Sequence, residues 1–318
     1  MNTTTIQVGF DSAGIQLTGV LYVPDLADQG PRPALVVGHP GSGVKEQTAG
    51  LYSRLLAEQG FATLAFDAAY QGESGGLPRD LEDPAQRVED LKSAVSFLTT
   101  RPEVDAERIG ALGICASGGY VLPATAGDHR IKAVATVSAA DIARQFKVGA
   151  DGSQDPAVFQ ALLDAAAQAR TAAARGEDPG SLTLFPETIE QARELGGEHG
   201  AEGYEYYRTA RGEHPRSART LQWSSFDKMA IFDAFAPVPL IGQRPLLMVV
   251  GSRAVTTWMS IDAFQRAVGP RELYYVEGAS HVDLYDRQPY VDAVVKKLDD
   301  FFDRNLAAAG EGAADTGN

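Results

Sequence analysis

The sequence predicts a doubly wound, mostly parallel α/β sheet carrying one inserted helical segment, and three observations point there. Short continuous apolar runs at 34–38, 61–66 and 245–251 have the length and composition of strands buried on both faces. Helix-period segments alternate with them, which is the rhythm of a parallel sheet covered by helices on each side. That rhythm then lapses for about 100 residues after Asp141, far longer than a plain connection, so the interval must hold structure of its own.

Taken in order, residues 3–10 and 15–22 are rich in β-branched and apolar side chains and flank Asp11-Ser12-Ala13-Gly14, which predicts an antiparallel pair. The strand at 34–38 ends at His39-Pro40-Gly41-Ser42-Gly43. A helix over about 47–59 stops at Gly60, and the strand at 61–66 runs into a Gly-rich loop at 67–76. Asp83-Pro84 opens a helix with Val88, Leu91, Val95 and Leu98 on one face. Strands follow at 109–114, 131–138, 245–251 and 272–276. The closing helix, about 289–306, carries Val291, Val294, Val295, Leu298, Phe301 and Phe302 on one stripe.

The long interval contains no convincing strand. It predicts an alanine-rich helix over 155–175 and a second over 186–195, with Tyr204, Tyr206, Tyr207, Trp223 and Phe226 adding aromatic surface. Residues 142–242 are therefore expected to form a helical cap over a core built from 1–141 and 243–306. Most of its aromatics would be cap core, with one or two lining a pocket. The end of the chain, 307–318, reads as a disordered tail.

Composition narrows the function. Of 318 residues 44% are hydrophobic and 22% charged, and the formal charge of −14 repels phosphate backbones and anionic lipid, so nucleic acid and membranes are not expected partners. A small-molecule substrate is, and a homodimer stays open. A single cysteine precludes an internal disulfide, and the first ten residues lack a basic region followed by an apolar one, so a cytoplasmic location with a reduced thiol is expected. No cofactor or metal is implied: the Gly-rich stretches at 41–43 and 72–76 lack dinucleotide or P-loop spacing, and the cysteine has no ligand partner at metal spacing.

The chemistry concentrates where the apolar run 109–114 breaks into Cys115-Ala116-Ser117-Gly118-Gly119. A buried strand that turns sharply into a helix presents a nucleophile at its apex, and the turn needs small residues two before and two after it. Gly113 and Ser117 meet that condition around Cys115. A frame centred on Ser117 is the alternative, but it would push Cys115 and Ala116 into the strand and leave Gly119 as the only small residue beyond. A purely structural reading makes Cys115 a small buried hydrophobe.

GHPGSGVKEQ after the third strand, FDAAYQGESGG after the fourth, GICASGGY at the turn and GASHVDLYD after the last strand stand in the order found in α/β-hydrolases, and over nearly the whole chain the sequence resembles the dienelactone-hydrolase-like branch of that superfamily. The cysteine at the elbow is similar to that of dienelactone hydrolases. The long insertion resembles bacterial hydrolases of unassigned substrate and fungal polyketide-releasing transferases.

A thiol at a helix start meets backbone N–H groups and the positive end of the dipole, so a lowered pKa is expected for Cys115. The oxyanion formed on attack needs two donors, which the sequence assigns to the N–H groups of Ala116 and Gly41, with Ser42 as the alternative to Gly41. His281, after the last strand, is the expected base. His39 is expected to be structural, and His129, His199 and His214 to be exposed bystanders. The resemblance implies an aspartate just after the strand ending at Gly251, but the turn reads Ser252-Arg253-Ala254-Val255-Thr256-Thr257. Asp141 is therefore the expected acid, ahead of Asp262 and Asp283, with a Cys-His dyad as the remaining arrangement. The expected function is hydrolysis of an ester, thioester or lactone through an acyl-cysteine. An acyltransferase and a non-catalytic binder are the rivals.

Overall fold

Residues 2–25 and 30–308 are described by the computed structural model. The chain opens with β1 (Thr3–Ser12) and β2 (Ile15–Pro24), paired antiparallel across Ala13-Gly14, then β3 (Arg32–Gly38), α1 (Thr48–Ala57) and β4 (Ala62–Phe66). Helix α2 (Pro84–Leu98) starts at Asp83, whose carboxylate accepts from the Ala85 and Gln86 N–H groups while Pro84 fills the first turn. Next come β5 (Val104–Ile114), α3 (Ala116–Gly127) and β6 (Ile131–Val137).

The interval 142–242 then holds α4 (Ile142–Val148), α5 (Pro156–Ala174), β7 (Ser181–Thr183), α6 (Ile189–Tyr207), β8 (Thr220–Gln222) and α7 (Ser224–Ala230), followed by a 3-10 turn at Val238–Ile241. The sequence differs from the structure here in two ways. Strands β7 and β8 do form, as a short antiparallel pair. The second helix does not stop near residue 195 but resumes beyond Gly196 and Gly197, whose backbone angles are non-helical, so two short helices meet at a kink. The chain closes with β9 (Leu246–Gly251), α8 (Thr257–Arg266), β10 (Arg271–Val276), the one-turn α9 (Asp283–Asp286) and α10 (Gln288–Asn305). From residue 309 onward, the expected disordered tail lies outside the described residues.

Eight strands form one sheet in the order β1-β2-β4-β3-β5-β6-β9-β10. It is parallel from β4 to β10, with the β1–β2 hairpin added antiparallel at one edge. Alternate residues of the central strands feed two cores. Ala34, Val36, Ala111 and Val134 face one with α2 and α3, whereas Leu35, Val37, Leu112 and Ala135 face the other with α1 and α10. The α10 stripe is buried in full. Phe302 lies over Gly110, where an added Cβ would sit 2.8 Å from its ring, and meets Phe61 edge-on at 6.2 Å. Phe302→Ala would therefore cost about 3–5 kcal/mol. Phe159, Ala166, Leu221, Phe226 and Met229 make a separate cluster within the insertion.

Candidate active site

Cys115 caps α3 at φ 54° and ψ −117°, a strained left-handed conformation at the junction of β5 and α3. Its carbonyl accepts from Gly118, Gly119 and Ala140 N–H, so the turn is fixed by three backbone hydrogen bonds. The packing demands glycines: a Cβ at Gly113 would meet the Ser117 carbonyl oxygen at 2.1 Å, and one at Gly119 the Ala140 carbonyl oxygen at 2.5 Å. The backbone N–H groups of Ala116 and Gly41 and the Tyr285 hydroxyl stand within hydrogen-bonding reach of the sulfur. The two backbone groups nominated from sequence as oxyanion donors thus both reach the thiol.

Burial nevertheless pushes the Cys115 thiol above its ordinary pKa, against the pull of these donors and of the Arg87 charge. The expectation of a lowered value is corrected, because loss of solvent outweighs the helix start. The site therefore holds a neutral thiol.

His281 is fully buried. Its Nδ1 lies 2.5 Å from Thr256 Oγ1 and its Nε2 3.0 Å from the Tyr285 hydroxyl. Burial and the neighbouring His199 hold its pKa well below the usual histidine range, which keeps the ring in its neutral form at pH 7. Thr256, in the turn after β9, sets a hydroxyl rather than a carboxylate against Nδ1.

Against the sequence expectation, the hydrogen-bond partners of the His281 ring are Thr256 and Tyr285 and not Asp141. Asp141 caps α4, accepting from the Arg144 N–H at 3.1 Å and the Ala234 N–H at 3.1 Å, so its two oxygens are spent on backbone. Asp262 pairs with Arg144 and Arg266. Asp283 accepts from the Ser280 N–H at 3.1 Å and faces Arg211 and Arg287.

His199 is likewise corrected from exposed bystander to neighbour of the site. The second half of α6 sets its ring edge-on to His281 at 4.8 Å, and burial lowers its pKa to about 4. From the same helix Tyr207 donates to the Gly41 carbonyl at 3.3 Å, and burial keeps its hydroxyl protonated beside Cys115. Ser217 and Ala218 both donate to the Ser42 carbonyl. The insertion thereby holds the loop that supplies the Gly41 N–H. His129 is exposed, and His214 is half-buried and accepts from the Arg216 N–H.

Beneath the elbow, Ser117 is 3% exposed, donates to the His39 carbonyl at 2.5 Å and accepts from Arg87 at 3.0 Å. His39 donates from Nδ1 to the Pro40 carbonyl and accepts at Nε2 from the Ala68 N–H, which fixes it as a neutral structural ring. Lys45, 1% exposed, ties the loop after β3 to that after β4 through Asp67 and Glu73.

Of the further residues around Cys115 and His281, Thr256 lies in the turn after β9 where the family resemblance implies a carboxylate. Tyr285 follows His281 by four residues, a spacing with no motif attached. Among the described residues no cluster of histidine, cysteine and carboxylate side chains could hold a metal ion, and no helix is long and apolar enough to cross a membrane.

Residues 17–160 match the model of the dienelactone hydrolase family. The chain is 38% identical to the uncharacterized protein YcjY of Escherichia coli strain K12, over 96% of this chain and all of that one. It is 26% identical to thiohydrolase aneE of Aspergillus aculeatus (84% and 83% covered) and to acyltransferase drtE of Aspergillus calidoustus (85% and 86%). The crystal structure of the hypothetical protein PA2218 from Pseudomonas aeruginosa superposes with a TM-score of 0.88 at 36% identity, covering 95% of this chain and 94% of that one. The α/β hydrolase GrgF from a Penicillium species shares the fold, with a TM-score of 0.81 at 22% identity over 97% and 100% of the two chains.

Proposed function

The chain belongs to the dienelactone hydrolase family, and from that premise we propose that it cleaves a small-molecule ester, thioester or lactone through an acyl-Cys115 intermediate. One observation carries this reading: the Cys115 sulfur sits at a strained elbow, against the Ala116 and Gly41 N–H groups, one hydroxyl away from a buried neutral imidazole. Because the thiol is neutral, its proton must leave as the C–S bond forms, and His281 receives it. The carbonyl oxygen becomes an oxyanion facing the Ala116 and Gly41 N–H groups, each worth roughly 2.7–4 kcal/mol in a site of this kind. Returning the proton expels the alcohol, thiol or ring oxygen. Water then repeats the sequence on the thioester and regenerates Cys115.

Transfer to an alcohol or amine instead of water is the second reading. Its support is the name acyltransferase borne by one relative, together with the burial of His281 beneath α6, which restricts water.

Mass spectrometry of the protein after brief exposure to activated esters and acyl thioesters tests the assignment. An acyl mass is expected on the Cys115 peptide of the wild type and of Ser117→Ala, and none on Cys115→Ala. An acyl group on Ser117, or undiminished turnover by Cys115→Ala, overturns it. Adding alcohols or amines to the same reaction separates hydrolysis from transfer through the products formed.

A further inference from the structure

His281 Nε2, the nitrogen that must accept the nucleophile's proton, makes its hydrogen bond to the Tyr285 hydroxyl at 3.0 Å, and that same hydroxyl stands within hydrogen-bonding reach of the Cys115 sulfur. Tyr285 thus stands between nucleophile and base. It is 2% exposed and firmly held: its ring meets Tyr206 edge-on at 5.1 Å, and the carbonyl of the preceding Leu284 accepts from the Tyr52 hydroxyl at 2.7 Å. At Nδ1 the Thr256 hydroxyl lies 2.5 Å away. With the ring proton on Nδ1 and Thr256 accepting it, Nε2 presents its lone pair to Tyr285. A phenol in this position donates to Nε2 and accepts from S–H at once.

We propose that Tyr285 is a catalytic residue that relays the proton between Cys115 and His281. The inference rests on the reading of Cys115 as nucleophile and His281 as base. As Sγ bonds to the carbonyl carbon, the S–H proton moves to Tyr285 Oη while the original Oη–H proton moves to His281 Nε2. The carbonyl π electrons pass to oxygen, so the products are a tetrahedral oxyanion, an unchanged phenol and an imidazolium. On collapse the C=O reforms, the bond to the leaving group breaks with its electron pair, and the proton returns from Nε2 through Oη to that group. Tyr285 is never ionised. Burial supports this by keeping its hydroxyl protonated throughout the working pH range.

The test compares the wild type, Tyr285→Phe and Cys115→Ala on an activated thioester. Tyr285→Phe keeps the ring against Tyr206 and removes only the hydroxyl. Acylation is expected to slow about 100-fold or more, with KM within about twofold and the thermal midpoint close to wild type. In H2O/D2O mixtures the acylation phase of the wild type is expected to give a bowed proton inventory, from two protons moving together, and the variant a straight one. A straight inventory for the wild type overturns the relay without need of any variant. So does a Tyr285→Phe protein that acylates within about threefold of wild type, or faster, which would make Tyr285 a spacer. Failure of the underlying reading is distinct: Cys115→Ala would then keep its turnover, whatever Tyr285→Phe does.

Discussion

Two residues apart on the first turn of α3, Cys115 and Ser117 face opposite surroundings. Below the elbow, Ser117, His39, Arg87, Glu82 and Tyr120 form a closed network: Arg87 bonds to the His39 carbonyl and to Ser117, lies 3.5 Å from Glu82 and covers the Tyr120 ring, while Tyr120 donates to Glu82. Above it, the Cys115 thiol is pushed toward its neutral form and two lowered imidazoles stand over it. His199 Nδ1 and Gln145 Oε1 are buried on this upper side without a hydrogen-bond partner, whereas every member of the lower network has one. A satisfied polar network is rigid, whereas an unpaired buried polar atom carries a desolvation cost. The same turn of chain is a closed polar foundation on one side and the proposed reaction site on the other.

Substituting the two residues separately gives the largest contrast. Cys115→Ala should lower kcat by about 10⁴-fold with little change in stability. Ser117→Ala should keep most activity but lose about 1–2 kcal/mol of unfolding free energy in a urea titration, because Arg87 is left short of a partner. Reversal of these outcomes would exchange the two roles. Next in size, Arg87→Met should destabilise by about 3–5 kcal/mol, since it leaves the Glu82 carboxylate buried without its cation. The double variant Arg87→Met/Glu82→Gln should recover part of that loss. If it recovers none, the network does not act as an ion pair.

Histidines on both sides give a smaller, pH-dependent effect. His39 below, and His199 and His281 above, all have pKa values lowered in the folded state. Above the unfolded value of about 6.5 both states are neutral and nothing is gained or lost. Below it the unfolded chain binds protons that the native one refuses, so stability falls as pH drops toward the folded pKa values. For three such rings the loss from pH 7 to pH 6 is roughly 2 kcal/mol. Chemical denaturation at the two pH values measures it, and His199→Gln should remove about a third.

Sequence and structure agree where a single local rule governs. The elbow was legible because the strand, the small residues at Gly113 and Ser117 and the following helix all lie within a dozen positions. His39 was legible as structural because it ends a buried strand. What escaped depends on distance in the chain. Asp141 looked like an acid because it follows a strand, yet helix capping claimed its oxygens, a competition visible only once Arg144 and Ala234 are placed. His199 sits among charged and glycine residues that suggest solvent, but the kink at Gly196 and Gly197 lets the second half of α6 fold back over His281. The direction of the thiol's pKa is not legible, because sequence reveals the helix start and hides the desolvation.

The smallest expected effect concerns Thr256, where the upper side departs furthest from a carboxylate-assisted site. As His281 takes up a proton, positive charge develops on the ring, and a threonine hydroxyl answers it with a dipole rather than a full charge. Thr256→Val keeps the shape and removes the hydroxyl, leaving Nδ1–H buried and unpaired. That should slow acylation by about tenfold, the equivalent of one lost hydrogen bond at a buried donor. Thr256→Asp supplies the charge, so the imidazolium should become easier to form and the acid limb of the pH–rate profile should move upward from the low position that burial imposes. An unmoved limb would mean that the carboxylate does not reach Nδ1. If the limb moves without a faster rate at pH 7, His281 was already basic enough in its neutral form. The hydroxyl at position 256 would then serve to hold the ring in its tautomer, and the unusual neutrality of the pair would follow from burial alone.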